Sequence, residues 1–592
     1  MQADSRFALF DGDGGSAVLL TDYRRSFYFD ASADLAVSFA VIEEAAASGG
    51  WVALAVDYAL GARFEPALFG SNTGRSLMRA WVFGRSEQLD AKAVDSFLAE
   101  RLAVLSEHEM TAGVADLSSS LEASNYAVKV EKIRRWIVDG ECYQINLTFP
   151  LHFRFYGHPL ALYANLRARQ PVRYGGYIAT PEETLLSFSP ELFFERAGDR
   201  VVTRPMKGTA PRGASLKEDN EARSALLGSA KERAENLMIV DLLRNDLGRL
   251  ASPGKVRVDS LFDAEAYPTL WQMVSTVSAD LPGACLFELF RALFPCGSIT
   301  GAPKIRAMQH IAEIEDEGRG LYTGALGWLA PSGDCRFNVA IRTLELAKDR
   351  SGKLGVGSGV VIDADPASEY AECLLKAKFL TDYNPGFALV ETLRLENCEY
   401  PLLSRHLERL ESSAHALGFV CTIEKLSAAL LLAAANGQSG VWRVRLALAH
   451  DGNYRIDSLP LPVEADRQWR VLIASEALDP DDYLLRHKTT ARGRYDRVLA
   501  ALAGRPDVFD AIFLNTRGEV CEGARSNVFV ERGGVLLTPP LSCGLLPGVM
   551  RRQLIESGRA VEQVLRLEDL LAAPALYMAN ALRGLVAVRL AD

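Results

Sequence analysis

The spacing of apolar and polar positions along the chain predicts strands and helices in mixed order. Residues 51–58 form a short apolar run that predicts a strand, and residues 337–344 alternate like a strand with one buried face. Segments 91–107 and 126–139 repeat apolar positions at helical spacing, which predicts two amphipathic helices. The mixture continues along the chain, so we expect an α/β (α+β) architecture.

A predicted helix over residues 231–249 departs from this amphipathic pattern. Six apolar residues between 237 and 243 leave no wide polar stripe, which is typical of a buried helix. Glu232 and Glu235 are three residues apart and share one face of its first turn. Acidic first turns are also common because they face the positive end of the helix dipole, and this alternative stays open. A second pair with the same spacing, Glu369 and Glu372, favours a hard cation such as Mg²⁺.

Length and composition limit the possible function classes. The 592 residues are too many for one hydrophobic core, so a few domains are expected. The net charge of −10 and the scattered basic residues argue against nucleic-acid binding. The nine cysteines are dispersed, without zinc-ligand spacing. Without a secretory signal pattern or an apolar run of the roughly 18 residues that span a membrane, we expect a cytoplasmic protein with no membrane partner.

A cluster of turn-forming residues, Thr381-Asp-Tyr-Asn-Pro-Gly-Phe, divides the chain. After it the pattern predicts a strand, a helix and two more strands, at 387–395, 403–417, 441–449 and 469–474. We therefore expect one domain over residues 1–383 and a second over residues 384–592.

Several segments of the first half are suited to an anionic ligand. Lys207 ends a predicted strand beside a glycine, although an exposed turn lysine is the alternative. Residues 297–304 open a helix with glycines whose backbone N–H groups can face an anion, a weak signal by itself. Arg342 lies on the alternating strand, and the glycine-rich run 355–361 predicts a turn that enters a strand and brings backbone amides close to a ligand.

In this order, the segments resemble the chorismate-utilising enzymes, the family of anthranilate, aminodeoxychorismate, isochorismate and salicylate synthases. The motifs are GECYQINLT, SPELFFE, RPMKGTAPRG, ENLMIVDLLRNDLGR, GSITGAPK, AIRTL and GSGVV, followed by the Glu369/Glu372 pair and Lys376. The resemblance covers about residues 1–383. It implies an α/β sandwich of two large sheets flanked by helices, with Mg²⁺ holding the ring carboxylate of chorismate.

The resemblance also implies roles for individual residues. Glu235 and Glu372 match direct Mg²⁺ ligands, and Glu232 and Glu369 match partners that bind the metal through water. The substrate-binding groups implied are Thr300, Arg342, Lys376 and the Gly357, Ser358 and Gly359 segment. A dianionic substrate needs such cations, and four carboxylates need a metal beside it.

Two positions indicate the branch of the family. Isochorismate-forming relatives carry a water-activating lysine at the position of Gln144, so Gln144 implies ammonia as the nucleophile. Lys207 is typical of the aminodeoxychorismate branch, in which the lysine amine is proposed to attack the ring before ammonia displaces it. Gln272 stands where many relatives have a histidine proposed as a base, which argues against anthranilate formation.

The second half, from about residue 385, resembles the fold-type IV pyridoxal-phosphate enzymes. The segments are HLERL, LRHKTTARGRYD, DAIFLNTRGEVCEGARSNVFV and GLLPGVMRR. The resemblance implies that Lys488 binds pyridoxal 5'-phosphate covalently, with Glu522 against the pyridine nitrogen and Arg409 and Thr538 at the phosphate. Without the resemblance, a solvated cation in a basic loop is the alternative for Lys488. The relatives' N-terminal arm is replaced here by the upstream domain.

Together the two resemblances imply that chorismate and ammonia give 4-amino-4-deoxychorismate, which then loses pyruvate to give 4-aminobenzoate, a folate precursor. Two alternatives stay open: an anthranilate synthase component I fused to a class IV aminotransferase, and a subunit that docks a glutaminase. No cysteine or histidine lies in a glutaminase signature. We therefore expect a separate glutamine amidotransferase subunit as partner, and a homodimer through the C-terminal domain is possible.

Overall fold

A computed structural model describes residues 6–65, 76–267, 270–435, 440–462 and 468–591. The chain divides into two compact units, and the second takes two segments from the first half of the sequence. The first unit comprises Met1–Val104, Ser118–Phe153 and Tyr163–Thr381, and the second comprises Leu105–Leu117, Arg154–Leu162 and Asp382–Asp592. The domain boundary at 383/384 stays a prediction.

Two expectations from the sequence concern secretion and membrane insertion. Residues 1–5, on which the expected lack of a secretory signal partly rests, lie outside the described residues. In the described ranges no helix is both long and apolar enough to cross a membrane.

Up to residue 381 strands and helices alternate. The strands are Phe7–Asp11 (β1), Ala17–Asp30 (β2), Trp51–Val56 (β3), Ser76–Leu89 (β4), Gly113–Ser119 (β5), Gln144–Tyr156 (β6), Gly176–Ala179 (β7), Glu183–Ser187 (β8), Leu192–Ala197 (β9), Arg200–Arg204 (β10), Met206–Pro211 (β11), Val256–Ala266 (β12), Leu270–Asp280 (β13), Gly301–Ala302 (β14), Ala325–Leu329 (β15), Cys335–Val339 (β16), Thr343–Ala347 (β17) and Ser351–Val360 (β18). The helices are Leu35–Ala47 (α1), Gly61–Phe64 (α2), Ala91–Leu102 (α3), Glu107–Met110 (α4), Ala123–Val138 (α5), Pro159–Arg169 (α6), Leu216–Gly228 (α7), Ala230–Gly248 (α8), Leu286–Leu293 (α9), Lys304–Ile314 (α10) and Pro366–Thr381 (α11).

The strands of the first unit pair antiparallel around buried apolar side chains. β3 lies between β4 and β15, and β15 continues to β16 and β9. Val52, Leu54 and Val56 pack into one core cluster, while Ala53 and Ala55 pack into another. Both faces of β3 are therefore covered, which explains why its sequence is a continuous apolar run.

Most predicted elements are present, with three differences. The helix predicted over 91–107 ends at Leu102, because Ser106 and Glu109 form a capping box that starts α4. The strand predicted over 337–344 is broken between β16 and β17, where Arg342 adopts φ 49°. The glycine-rich run predicted as a turn lies inside β18, because the buried Val356 and Val360 alternate with glycine and serine at strand spacing.

Helix α8 is present where a helix buried on nearly all sides was predicted, but it buries one face. Its buried residues include Ile239, Val240 and Leu243, whereas Leu237 is 42% exposed. Polar positions such as Asp241 and Arg244 interrupt the apolar run and provide the exposed face.

After residue 381 the described strands are Leu389–Glu396 (β19), Val441–Leu448 (β20), Tyr454–Pro460 (β21), Trp469–Ile473 (β22), Val508–Leu514 (β23), Val520–Gly523 (β24), Asn527–Arg532 (β25), Val535–Thr538 (β26), Ala560–Glu562 (β27), Ala575–Asn580 (β28) and Gly584–Leu590 (β29). The helices are Leu403–Leu417 (α12), Ile423–Ala435 (α13), Gly493–Leu502 (α14), Val549–Glu556 (α15) and Leu567–Leu571 (α16). β19–β21 form a three-stranded antiparallel sheet and β22–β29 a mixed eight-stranded sheet. The expected mixed fold in two parts is confirmed.

Candidate functional site

In the first unit, Ser298 joins three polar side chains from distant parts of the sequence. Its backbone carbonyl accepts hydrogen bonds from Lys207 Nζ at 3.3 Å and from Asn146 Nδ2 at 3.0 Å. Its hydroxyl donates to Glu191 Oε1 at 2.7 Å. An amine and a buried carboxyl group are thereby held on opposite sides of one residue.

Glu191 is the functional candidate that the sequence reasoning missed. Its side chain is 6% exposed, and burial raises the pKa of its carboxyl group, although the Ser298 hydrogen bond and the Lys207 charge oppose the rise. A carboxyl group in this state can keep its proton and donate it. The available signal was an acid directly before the apolar run 192–194 in the SPELFFE motif.

Gln144 lies buried on β6 and contacts the glycine segment of β18. A Cβ atom on Gly359 would lie 2.3 Å from Gln144 Nε2 and 2.9 Å from Asn146 Oδ1. Glycine is therefore needed for this close approach. The structure thus brings together two predicted site positions, Gln144 and Gly359.

Four other predicted substrate groups make internal hydrogen bonds. Ser358 Oγ and Tyr126 OH are 2.8 Å apart, and Gly357 O accepts from Lys376 Nζ at 2.8 Å. Thr300 Oγ1 donates to the carbonyls of its own loop, at Cys296 and Gly297. These contacts fix the segments, and a substrate role for Thr300, Ser358, Gly357 and Lys376 stays a prediction.

Arg342 occupies the break between β16 and β17. Burial lowers the pKa of its guanidinium, a change that the Tyr267 hydroxyl opposes. Across the described ranges, no hydrogen bond or ion pair joins this guanidinium to another side chain. A half-buried cation without a carboxylate partner is suited to an anionic ligand.

The two glutamate pairs begin α8 and α11. Burial raises the pKa of Glu232, and the neighbouring Glu235 charge raises it further. Glu372 Oε1 lies 2.8 Å from Lys376 Nζ. Within the described part of the chain, no group of three or more acidic, histidine or cysteine side chains is placed to hold a metal ion. The carboxylates suit Mg²⁺ chemically, but their geometry does not form a closed metal site, so we derive no reaction step through the metal.

In the second unit, Lys488 follows the 3₁₀ turn Tyr483–Arg486, and its carbonyl accepts from Val390 N at 2.8 Å. Desolvation, with a further contribution from the Arg409 charge, lowers the pKa of its amine to about 8, against the opposing charges of Glu391 and Glu522. Such an amine differs from a solvated loop lysine, and it can lose its proton near neutral pH.

Glu522 on β24 faces two donors. Tyr495 OH donates to its Oε1 at 2.7 Å, and Leu546 N donates to its Oε2 at 3.0 Å. Burial nevertheless raises the pKa of Glu522 to about 7. A cationic ring nitrogen beside this carboxylate would relieve the cost of its charge.

Arg409 belongs to a buried ionic cluster that sequence reasoning did not find. Its Nη2 donates to Glu391 Oε2 at 2.6 Å, and His406 Nδ1 lies 2.6 Å from the same oxygen. Burial alone would raise the pKa of Glu391, but Arg409 and His406 lower it to about 2. Arg409 Nη1 also donates to Pro547 O at 3.2 Å, which places its head next to the start of α15.

Thr538, at the end of β26, has a buried Oγ1 without a hydrogen-bond partner in the described structure. A buried hydroxyl in this state costs free energy that a ligand oxygen can offset. With the amine of Lys488, the carboxyl group of Glu522 and the cation of Arg409, this orphaned hydroxyl fits the donor and acceptor groups of pyridoxal phosphate.

A cavity of about 460 Å³ also opens in this unit. Arg394, His406, Met550, Gln553 and Leu582 are among its lining residues, whereas Lys488, Glu522, Arg409 and Thr538 are not. His406 is therefore the residue through which the cavity contacts the Glu391–Arg409 pair.

Comparison with known proteins separates the same two parts. Residues 63–382 match the family described as chorismate binding enzyme, and residues 388–591 match amino-transferase class IV. The chain is 44% identical to an aminodeoxychorismate synthase of Streptomyces pristinaespiralis over 43% of its length and 35% of the relative's. It is 38% identical to aminodeoxychorismate synthase component 1 of Bacillus subtilis, over 48% of this chain and 60% of the relative.

An anthranilate synthase component 1 of Haloarcula marismortui is similarly close, at 39% identity over 45% of this chain and 55% of the relative. The matched region thus spans between about a third and 60% of these curated relatives. The anthranilate synthase component I structure from Streptococcus pneumoniae shares the fold, with a TM-score of 0.52 at 24% identity, over 64% of this chain and 92% of that one. Since the first family match covers more than half of the 592 residues, the chain belongs to the chorismate binding enzymes, and it carries an amino-transferase class IV domain after them.

Proposed function

We propose that the first unit converts chorismate and ammonia to 4-amino-4-deoxychorismate and water. The second unit then eliminates pyruvate to leave 4-aminobenzoate, for folate biosynthesis. The observation that carries the proposal is the Lys207–Ser298–Glu191 cluster, because it supplies a nucleophile and a proton donor close together.

In the first reaction, the Lys207 amine attacks the substrate ring and forms a carbon–nitrogen bond. The ring hydroxyl leaves as water after it takes a proton from Glu191, because burial raises the pKa of this carboxyl group and favours its acid form. Ammonia then adds to the ring, and the bond to Lys207 breaks as the amine leaves. The carboxamide of Gln144 cannot serve as a base toward water, which favours ammonia as the incoming nucleophile.

Cations aimed at the substrate carboxylates supply the binding. Arg342 is free to pair with one carboxylate, and Lys376 can exchange its Glu372 contact for another. We keep Mg²⁺, held by Glu235 and Glu372 with Glu232 and Glu369 behind them, as part of the proposal. Its support is the repulsion between Glu232 and Glu235, which helps to raise the pKa of Glu232 although the Lys231 and Lys207 charges oppose the rise.

In the second reaction, pyridoxal phosphate when bound supplies an electron sink for cleavage next to the substrate amine. Lys488 would hold the cofactor, and its pKa of about 8 permits its amine to accept and return a proton near neutral pH. Glu522 would face the ring nitrogen, and Arg409 and Thr538 would hold the phosphate. Formation of the aromatic ring helps to drive the enolpyruvyl group out as pyruvate.

We also propose a cytoplasmic location, a separate glutamine amidotransferase subunit as the ammonia source, and a homodimer through the second unit. The component 1 relative from Bacillus subtilis supports the separate subunit, because its name implies a second component.

A second candidate for the first unit is anthranilate synthesis, which the Haloarcula marismortui relative favours. The purified full chain, incubated with chorismate, Mg²⁺, ammonium and pyridoxal phosphate, separates the candidates through the aromatic product. We expect 4-aminobenzoate and pyruvate. Anthranilate as the main product would refute the proposal, and no turnover would favour a subunit that only docks a glutaminase.

A further inference from the structure

We infer that Gln272 is a positioning residue that holds a bulge in β11 and thereby aims Lys207. This inference rests on the function proposed for Lys207 and adds the element that sets its geometry. It gives Gln272 structural contacts with the two residues that follow Lys207, instead of a proton-transfer role.

The bulge is visible in the pairing of β11 with β13. Met206 pairs with Val274, and Thr209 pairs with Gln272. Three steps along β11 therefore correspond to two steps along β13, so β11 carries one extra residue between these pairs. A β-bulge of this kind re-aims the side chains that it contains, and Lys207 lies inside it.

Gly208, next to Lys207, has the backbone conformation that the bulge requires. Its φ is +90°, a region that L-residues with a side chain rarely adopt. A Cβ atom at this position would lie 2.9 Å from Glu232 Oε2 and 3.1 Å from Glu232 Cβ. The bulge therefore packs directly against the first turn of α8.

Gln272 closes the bulge with both ends of its carboxamide. Its Nε2 donates to Gly208 O at 2.8 Å, and its Oε1 accepts from Thr209 Oγ1 at 3.0 Å. The Gly208–Thr209 peptide, one residue after Lys207, is thus held by the Gly208 carbonyl and through the Thr209 side chain. Because Lys207 reaches Ser298 O at 3.3 Å from this backbone, a shift of the bulge moves the amine away from its position beside Glu191.

The carboxamide of Gln272 also excludes a role as a catalytic base. An amide neither gains nor loses a proton in the working pH range, so Gln272 cannot act as a base. Its two bonds are to the bulge itself, and they account for both of its polar ends.

The test compares Gln272→Met with Gln272→His in the full chain, with Gln309→Met as the matched control. Methionine keeps the length of the side chain and removes both hydrogen bonds, whereas an imidazole N–H can still donate to Gly208 O. Gln309 also makes a side-chain hydrogen bond, to Arg306, but it lies on α10. Two quantities are measured: kcat and KM for chorismate with ammonium, and the rate at which an amine-reactive reagent labels Lys207, read by peptide mapping.

We expect Gln272→Met to lower kcat about 10²-fold, the cost of a misplacement of about 1 Å, with KM changed less than kcat. Lys207 labelling should change in the same variant, Gln272→His should recover part of both, and Gln309→Met should match the wild type. Unchanged labelling of Lys207 in Gln272→Met would overturn the inference, whether or not kcat falls. If Lys207→Ala retains full turnover, the proposed role of Lys207 fails, while the labelling still decides what Gln272 holds.

Discussion

At the scale of single residues, Glu191 and Lys207 carry the chemistry proposed for the first unit. Both contact Ser298, one through its hydroxyl and one through its carbonyl. Desolvation outweighs the Ser298 hydrogen bond and the Lys207 charge, so the pKa of the buried Glu191 carboxyl group is raised above its usual value. A proton donor and a nucleophile therefore coexist without forming a direct ion pair.

Replacement of Glu191 tests the proton donor. Glu191→Gln keeps the shape and the contact with Ser298 but removes the acidic proton, so kcat for chorismate should fall about 10²–10⁴-fold. Glu195→Gln, on the strand that begins directly after Glu191 and paired with Arg336, is the matched control. Steady-state rates with ammonium provide the measurement, and a Glu191→Gln enzyme as fast as this control would refute the acid role.

The shifted pKa values of Lys488 and Glu522 predict an unusual pH dependence of stability for the second unit without its cofactor. The pKa of Glu522 is raised from 4.5 to about 7, so the folded state keeps a proton that the unfolded state releases, and the free energy of unfolding falls as pH rises through this range. The pKa of Lys488 is lowered from 10.5 to about 8, so the free energy of unfolding rises again above pH 8. Stability should be lowest between about pH 7 and 8.

Scanning calorimetry from pH 5 to pH 10, with and without pyridoxal phosphate, measures this dependence. The cofactor should flatten the curve, because it occupies the Lys488 amine and pairs with Glu522. Glu522→Gln should remove the decline below pH 7 in the cofactor-free protein. Borohydride reduction followed by peptide mapping should place the cofactor on Lys488, and a label on another lysine would contradict the assignment.

At the scale of elements, helix starts and strand irregularities place the site residues. Ser229 caps the start of α8, and its hydroxyl accepts from Glu232 N at 3.3 Å, so the cap fixes the first turn, which carries Glu232. The break between β16 and β17 presents Arg342, and the bulge in β11 presents Lys207. Regular pairing on either side holds these irregular positions in place.

The proposed Mg²⁺ site can be tested at Glu372, on α11. Glu372→Gln removes the negative charge while it keeps the side-chain shape, so Mg²⁺ binding should weaken more than about 10-fold and turnover of chorismate should be lost. Asp365→Asn, at the start of the same helix, is the control. Calorimetric titration with Mg²⁺ reads binding independently of activity, and pyruvate release from added 4-amino-4-deoxychorismate should stay at the wild-type rate. Wild-type Mg²⁺ affinity in Glu372→Gln would exclude this ligand.

At the scale of the whole molecule, one chain combines a chorismate binding enzyme with an amino-transferase class IV domain. The net charge of −10 provides no general attraction for an anionic substrate. The proposed binding of this substrate therefore needs a few aimed cations, such as Arg342, and the metal proposed at the glutamate pairs. The two units use separate sets of residues, so a variant in one should leave the chemistry of the other intact.

The source of ammonia is a property of the whole chain. We expect the purified protein to form 4-aminobenzoate with ammonium salts and not with glutamine, because no cysteine in the sequence has the setting of a glutaminase nucleophile. Activity with ammonium should rise steeply with pH, since ammonia is the reactive species. Product formation from chorismate and glutamine without an added partner is the decisive measurement. Sustained turnover there would reveal an amidotransferase site in this chain.

The sequence by itself determined the element types and the two families, and it predicted most of the residues in the proposed sites. Helix 403–417 and strands 441–449 and 469–474 were predicted to within one residue, because each reports its own local period. Lys207, Lys488 and Glu522 were predicted as site residues for a similar reason. Each lies in a short motif whose order of residue types can be recognised locally.

Only the tertiary structure decided how these residues are joined and charged. Glu191, Lys207 and Ser298 meet from segments up to 107 residues apart, and Glu391 meets Arg409 in the second unit. The bulge held by Gln272 and the left-handed Arg342 also depend on pairing with distant strands. A periodic pattern reports which face of an element is buried. The pKa of a side chain, an unpaired hydroxyl and the orientation of a lysine depend instead on desolvation and on contacts with distant residues. No local stretch of sequence contains that information.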